Sequence, residues 1–146
     1  MMCVIKLSGV TDVNAKMLFE IRKKVFVEEQ HVPATLEFDK FENEANHYLC
    51  FDGDKPCGTA RWRITQNGIK LERFAVLPAH RNKGIGAVIL NQVLNDIAPL
   101  KQKVYLHAQA GAVNFYLKHQ FVVDGNCFFE ANIPHYVMIH QPIKTI

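Results

Sequence analysis

The sequence predicts a mixed α/β (α+β) fold built on one dominant sheet, and three observations carry that prediction. Strand-length apolar stretches alternate with helical periodicity in the order β-α-β-β-β-α-β-α-β-β. The dipeptide Asn67-Gly68 is a strong hairpin signal between two strand patterns. The stretch Leu71–Gly86 runs from an apolar strand through a basic, proline-marked turn and two glycines into an apolar helix. With 146 residues, the chain is long enough to bury a core as a single domain over residues 1–146.

Met2 to Leu7 reads as the first strand. Thr11 or Asp12 can then cap a helix in which Val13, Met17, Ile21 and Val25 recur at helical spacing, and which ends before Pro33. Glu28 to Glu44 holds six acidic residues against Lys40, and reads as a solvated acidic loop with one short helical turn. His47–Phe51 and Cys57–Thr65 form a strand pair across the Asp52–Pro56 turn. In the second of these strands Thr59, Arg61, Arg63 and Thr65 share one face, with Ala60, Trp62 and Ile64 on the other; the arginine face either lines a cleft or is open to solvent. Ile69 to Leu77 runs back antiparallel, with Ile69, Leu71, Arg73 and Ala75 on one side unless a bulge shifts the register. Helices follow over Gly84–Ile97 and Gly111–His119, flanking a strand at Val104–Gln109. Two strands close the chain: Phe121–Glu130, broken at Asp124-Gly-Asn126, and Tyr136–His140.

Composition narrows the classes of function. Hydrophobic residues make up 49% and charged residues 21%, and the net charge of +3 is scattered, so no basic stripe points to nucleic acid. No stretch approaches the length of a membrane span, and the N-terminus has no secretory apolar run. Cys3, Cys50, Cys57 and Cys127 lack a C-x-x-C pair, which suits reduced thiols and a cytoplasmic setting. The seven histidines show no zinc-ligand spacing, so no metal is expected.

The junction after Leu71 carries the chemistry. In Arg81-x-x-Gly84-x-Gly86 the glycines let backbone approach an anion, and the helix start supplies unpaired N–H groups and a favourable dipole. The Gly-Lys-Ser/Thr ending of a Walker loop is absent, and Ile89 stands where a dinucleotide fingerprint has its third glycine.

These residues, in this order, resemble the GNAT superfamily of acetyltransferases. Arg81 to Gly86 matches its Q/R-x-x-G-x-G/A signature, and Ala110–Phe121 is similar to its A-x-x-F-Y-x-x-x-G-F segment, with Gln120 in place of glycine. Arg22–Gln30, Gly58-Thr-Ala-Arg61, Leu71-Glu-Arg73 and Ala108-Gln109 resemble the ElaA/YjcF branch, so the likeness covers nearly the whole chain. The resemblance implies acetyl-CoA as cosubstrate and direct acetyl transfer to a primary amine of a small molecule or peptide. It places the pyrophosphate on the N–H groups of Asn82, Lys83, Gly84, Ile85, Gly86 and Ala87, beside Arg81. Phe74, Ala75 and Val76 would pair with the pantetheine amides, and Asn114 would hydrogen-bond the same arm. Tyr116 matches the family's general acid.

Glu72 stands where a base is common in the family, against the simpler reading of an ion pair with basic neighbours; His107 is the other candidate base. The acceptor site is expected from Phe26, Glu28, Glu29 and His31, with Arg61 and Arg63 opposite. An acidic loop suits a cationic amine, whereas an arginine pair suits a phosphate or carboxylate, as in a glucosamine 6-phosphate acetyltransferase. A non-catalytic acyl-CoA-binding or regulatory domain is the alternative from another class. Exposed final strands could pair two copies into a homodimer.

Overall fold

The structure is a computed structural model that describes residues 1–142, so the last four positions of the expected 1–146 domain lie outside the described residues. Its strands form one mixed sheet in the order β1-β2-β3-β4-β5-β8-β6, with β7 paired to β8. The chain divides into two compact units, Met1–Arg63 with Glu72–Lys101, and Ile64–Leu71 with the chain from Gln102 onward.

The first unit contains β1 (Met2–Lys6), α1 (Ala15–Arg22), a π-helical stretch (Lys23–Glu29), α2 (Ala34–Glu37), β2 (Asn46–Asp52), most of β3 (Lys55–Thr65), the second half of β4 (Gly68–Val76) and α3 (Ile85–Ile97). β1 and β2 pair antiparallel from Met2↔Asp52 to Lys6↔Tyr48, and β2 pairs antiparallel with β3. Apolar helix α3 buries Ile85, Ile89, Leu90, Val93 and Ile97, each side chain contributing about 1.5–3 kcal/mol of burial. It lies so close to β3 that a Cβ on Gly58 would sit 2.8 Å from Ile89 Cδ1. On the same side Trp62 Nε1–H donates to the Tyr48 hydroxyl, which donates to Asp96 at 2.7 Å. Burial pushes the Tyr48 phenol well above its ordinary range.

Helix α1 differs from the expected face. Val13 is exposed, and Ala15, Leu18, Ile21 and Arg22 are the buried positions. Asp12 precedes the helix, and its carboxylate accepts from the Ser8 and Asn14 N–H groups, which starts the chain turning three residues earlier than the helix. The π-helical stretch then widens the turn, with Gln30 N–H bonded to the Val25 carbonyl, and buries Val25 and Phe26 side by side.

The second unit holds Gly68–Leu71 of β4, β5 (Val104–Gln109), α4 (Val113–Leu117), β6 (Phe121–Val123), β7 (Phe128–Glu130) and β8 (Ile133–His140). β4 pairs parallel with β5 over Ile69–Leu71. Gly68 has φ +122°, and a Cβ there would lie 2.4 Å from the Lys103 carbonyl oxygen, so only glycine fits. β5, β6 and β7 each pair antiparallel with β8. The expected broken strand Phe121–Glu130 is therefore two separate strands, and the last strand begins at Ile133. Ala131 and Asn132 both have positive φ and close the β7–β8 hairpin in the primed-turn conformation, without the Asn-Gly pair that announces such turns. Gln120, standing at the family's glycine, has φ +68°. Cys50 and Cys57 are buried free thiols, whereas Cys3 and Cys127 are exposed free thiols; burial pushes the Cys50 thiol up to about 12.

Candidate active site

In the segment expected to be a solvated acidic loop, Glu28, Glu29 and Glu44 are exposed, but Glu37, Asp39 and Glu42 belong to a buried ion-pair network. Glu37 is 3% exposed, and Arg22 and Arg61 are completely buried. Arg22 Nε donates to Glu37 at 2.8 Å, and its terminal nitrogens donate to Glu42 at 2.8 and 2.7 Å. Arg61 donates to Asp39 through both terminal nitrogens at 2.9 and 2.7 Å, to Glu42 at 2.9 Å and to Glu72 at 3.2 Å. Arg73 reaches Glu37 at 3.1 Å and Asp39 at 3.1 Å. Arg63 donates to Glu72 at 2.7 Å and lies 3.8 Å over the Phe41 ring. On the arginine face of β3, Arg61 is thus wholly buried among carboxylates, while Arg63 stays 15% exposed beside Glu72. Charges that would each be costly to bury alone are paired and hydrogen-bonded.

The network decides the protonation of its members. Burial opposes ionisation of Asp39, but the hydrogen bonds and charge of Arg61, with the Phe41 N–H and Arg73, hold its carboxyl at about 2. In Glu37 burial wins over Arg73 and Arg22, and its carboxyl is raised. Burial keeps His47 neutral-leaning; its Nε2 is 2.9 Å from the Glu42 carbonyl, while Nδ1 has no partner.

Strand β4 feeds this network through a break in its alternation. Glu72 and Arg73 are consecutive, yet both reach the acidic segment or its arginines, and Arg73 has φ +58°. This bulge puts Glu72 between Arg61 and Arg63, so the ion pair weighed against a base role is present.

After β4, a single 3₁₀ turn at Pro78–His80 leads to the glycine junction. Asn82 and Gly84 take left-handed conformations, φ +63° and +80°. Val88 N–H to the Gly84 carbonyl at 3.1 Å begins the α3 ladder, so the N–H groups of Ile85, Gly86 and Ala87 precede it as helix-start donors. Arg81 is directed elsewhere: Nε donates to the Val76 carbonyl at 2.9 Å, and the terminal nitrogens grip Glu29 at 2.7 and 2.6 Å. That bidentate pair links the cradle to the end of the π-helical stretch. Among the other expected acceptor residues, Phe26 is buried, whereas Glu28 and His31 are exposed and His31 has φ +61°.

In the second unit Tyr116 is 7% exposed, edge-on to Phe121 at 5.6 Å and to Phe115 at 5.1 Å. Burial raises its phenol well above the ordinary value, which keeps it protonated. Asn114 is exposed on the same short helix. His107 Nδ1 lies 2.7 Å from Glu130 Oε1, a partner that sequence reasoning missed because the β7–β8 turn was illegible. Among the described residues no group of three or more His, Cys, Asp or Glu side chains could hold a metal, and no helix is long and apolar enough to cross a membrane.

Comparison with known proteins agrees with this fold. A family model described as an acetyltransferase (GNAT) domain matches residues 9–141, and the chain belongs to the GNAT acetyltransferases. Within them it is of the ElaA/YjcF type. It is 42% identical over 126 residues to the uncharacterized N-acetyltransferase YjcF of Bacillus subtilis (strain 168), which covers 85% of this chain and 90% of that protein. The crystal structure of Escherichia coli ElaA shares the fold with a TM-score of 0.84 at 24% identity, over 97% of this chain and 100% of that one. A GNAT family acetyltransferase from Elizabethkingia anophelis with acetyl-CoA bound shares it with a TM-score of 0.63 at 15% identity, over 94% of each chain. The chain is a GNAT-type N-acetyltransferase.

Proposed function

We propose that this N-acetyltransferase uses acetyl-CoA to acetylate a primary amine of a small molecule or peptide directly, working as one domain in the cytoplasm without a metal. The observation that carries the reading is the junction from Arg81 to Ala87, where two left-handed residues deliver the backbone into the start of α3. Its N–H groups would take the CoA pyrophosphate, with Phe74–Val76 and Asn114 along the pantetheine arm. Arg81 contributes charge and holds Glu29 rather than coordinating phosphate directly. Four free thiols favour a reducing compartment.

Transfer needs a neutral amine and a proton for the departing thiolate. Tyr116, kept protonated by burial, is the acid. Glu72 joins the site as the base or, held by Arg61 and Arg63, as the group that orders the network. The exposed Glu28 favours a cationic acceptor over an amino-sugar phosphate, since Arg61 and Arg63 are already bound to carboxylates and Glu29 is held by Arg81.

Thiol release from acetyl-CoA with spermidine, a lysine peptide, tyramine and glucosamine 6-phosphate tests this. Spermidine or the peptide should turn over faster than the amino sugar; the reverse order overturns the acceptor reading. If none reacts while acetyl-CoA binds, the non-catalytic alternative stands. Tyr116→Phe should lower turnover about 10²-fold, with the acetyl-CoA Kd within twofold, because an acid contributes on the order of 10²–10⁴. Unchanged turnover removes Tyr116 from the mechanism.

A further inference from the structure

We propose that His107, oriented by Glu130, is the general base that receives the proton of the acceptor amine; this rests on the acetyltransferase reading above. An ionised carboxylate can only accept hydrogen bonds, so the 2.7 Å contact of Glu130 Oε1 requires the proton on His107 Nδ1. In the neutral ring Nε2 then carries the lone pair, and it has no protein partner among the described residues. The imidazole is a quarter exposed, open enough to meet a substrate and to lose a proton to solvent. Phe128 meets it edge-on at 5.1 Å and Tyr105 lies 6.0 Å away, which restricts ring rotation.

The groups facing this dyad reinforce it. Glu130 is held ionised chiefly by its bond to His107, against burial, with Lys70 and His135 adding positive charge. Tyr105 directs its hydroxyl to Thr65 at 2.7 Å and so leaves the imidazole alone. Glu72, by contrast, has both oxygens within 3.5 Å of guanidinium nitrogens. A carboxylate so engaged is a poor proton acceptor, whereas a histidine braced by a carboxylate is the usual arrangement for proton transfer.

The step balances as follows. The amine nitrogen forms a bond to the thioester carbonyl carbon, and the carbon–sulfur bond breaks. The surplus amine proton passes to His107 Nε2, and the Tyr116 phenol supplies the proton that the CoA thiolate takes. Solvent then removes the proton from His107 and restores it to Tyr116.

The test is His107→Ala with acetyl-CoA and the fastest of the four amines above, assayed with and without added imidazole. We expect a loss of about 10²-fold in kcat, an unchanged acetyl-CoA Kd, disappearance of the acidic limb of the pH–rate profile, and partial recovery with imidazole. Glu130→Gln should displace the acidic limb and lower kcat less. A His107→Ala enzyme with normal kcat, or one whose loss imidazole does not repair, overturns the assignment while leaving the acetyltransferase reading intact. A wild-type protein that acetylates none of the amines overturns both.

Discussion

Removing Arg61 should be the most damaging single change to the fold that leaves the apolar core untouched. Its guanidinium is completely buried and donates to three carboxylates, those of Asp39, Glu42 and Glu72. Arg61→Met keeps most of the volume and deletes the charge, leaving those carboxylates without their common partner. Breaking a buried pair by removing one member costs about 3–5 kcal/mol. For a chain of this size each kcal/mol moves Tm by roughly 2–4 °C, so a drop of about 6–20 °C is expected.

Equilibrium urea unfolding with a thermal scan at pH 7 measures it. The same experiment in acid separates charge from packing. Asp39, held at about 2 largely against the effect of burial, contributes stability that is complete above about pH 4 and is lost as the pH falls towards 2; a shift of that size is at most about 2 kcal/mol. Glu37 acts in the opposite sense, because its raised carboxyl costs stability when ionised and that cost fades on acidification. Arg61→Met should therefore flatten the acid limb as well as lower the plateau. A variant within about 1 kcal/mol of wild type, with its acid limb unchanged, would refute the claim that this network holds the segment down.

Three further substitutions probe the backbone and the cradle. Gly68→Ala places a Cβ 2.4 Å from the Lys103 carbonyl at φ +122°, and should cost more than about 2 kcal/mol by urea unfolding; a loss below 0.5 kcal/mol would show that the β3–β4 turn yields freely. Gln120→Gly relieves a left-handed side chain at φ +68° and should raise stability by about 0.5–1 kcal/mol, readable as a higher urea midpoint at unchanged slope. Arg81→Glu combined with Gly84→Val sets like charges against Glu29 and a β-branched residue at φ +80°. Calorimetry should detect no acetyl-CoA binding while the circular dichroism spectrum is retained, and an affinity within threefold of wild type would sink the cradle.

What local pattern could reveal, it did. Strand and helix periods located β1 to β5 and α3 within a residue or two, because their apolar residues recur at strand or helix spacing between clear turn signals. The Arg81–Gly86 junction was legible for the same reason: its conformation is written in glycines and a neighbouring helix start. The acid segment was not, since the arginine partners of Glu37, Asp39 and Glu42 stand 15 to 36 residues away, and charge patterning alone reads such a run as solvated. Val13 misled because its spacing fits the helix period although it lies before the helix begins. Arg73 and Ala131 carry side chains at positive φ, a conformation that composition gives no means to foresee. Glu130 could be matched to His107 only once the β7–β8 turn had been placed.

The distribution of thiols has a practical consequence. Cys50 and Cys57 are shielded and, with their thiols raised, slow to form the reactive thiolate. The two accessible cysteines fall one to each compact unit, Cys3 in the first and Cys127 in the second. The natural sequence therefore already carries a pair of attachment points for donor and acceptor dyes. Fluorescence energy transfer between them, without any engineered cysteine, would report whether cosubstrate binding changes the separation of the unit bearing the glycine junction from the unit bearing Tyr116.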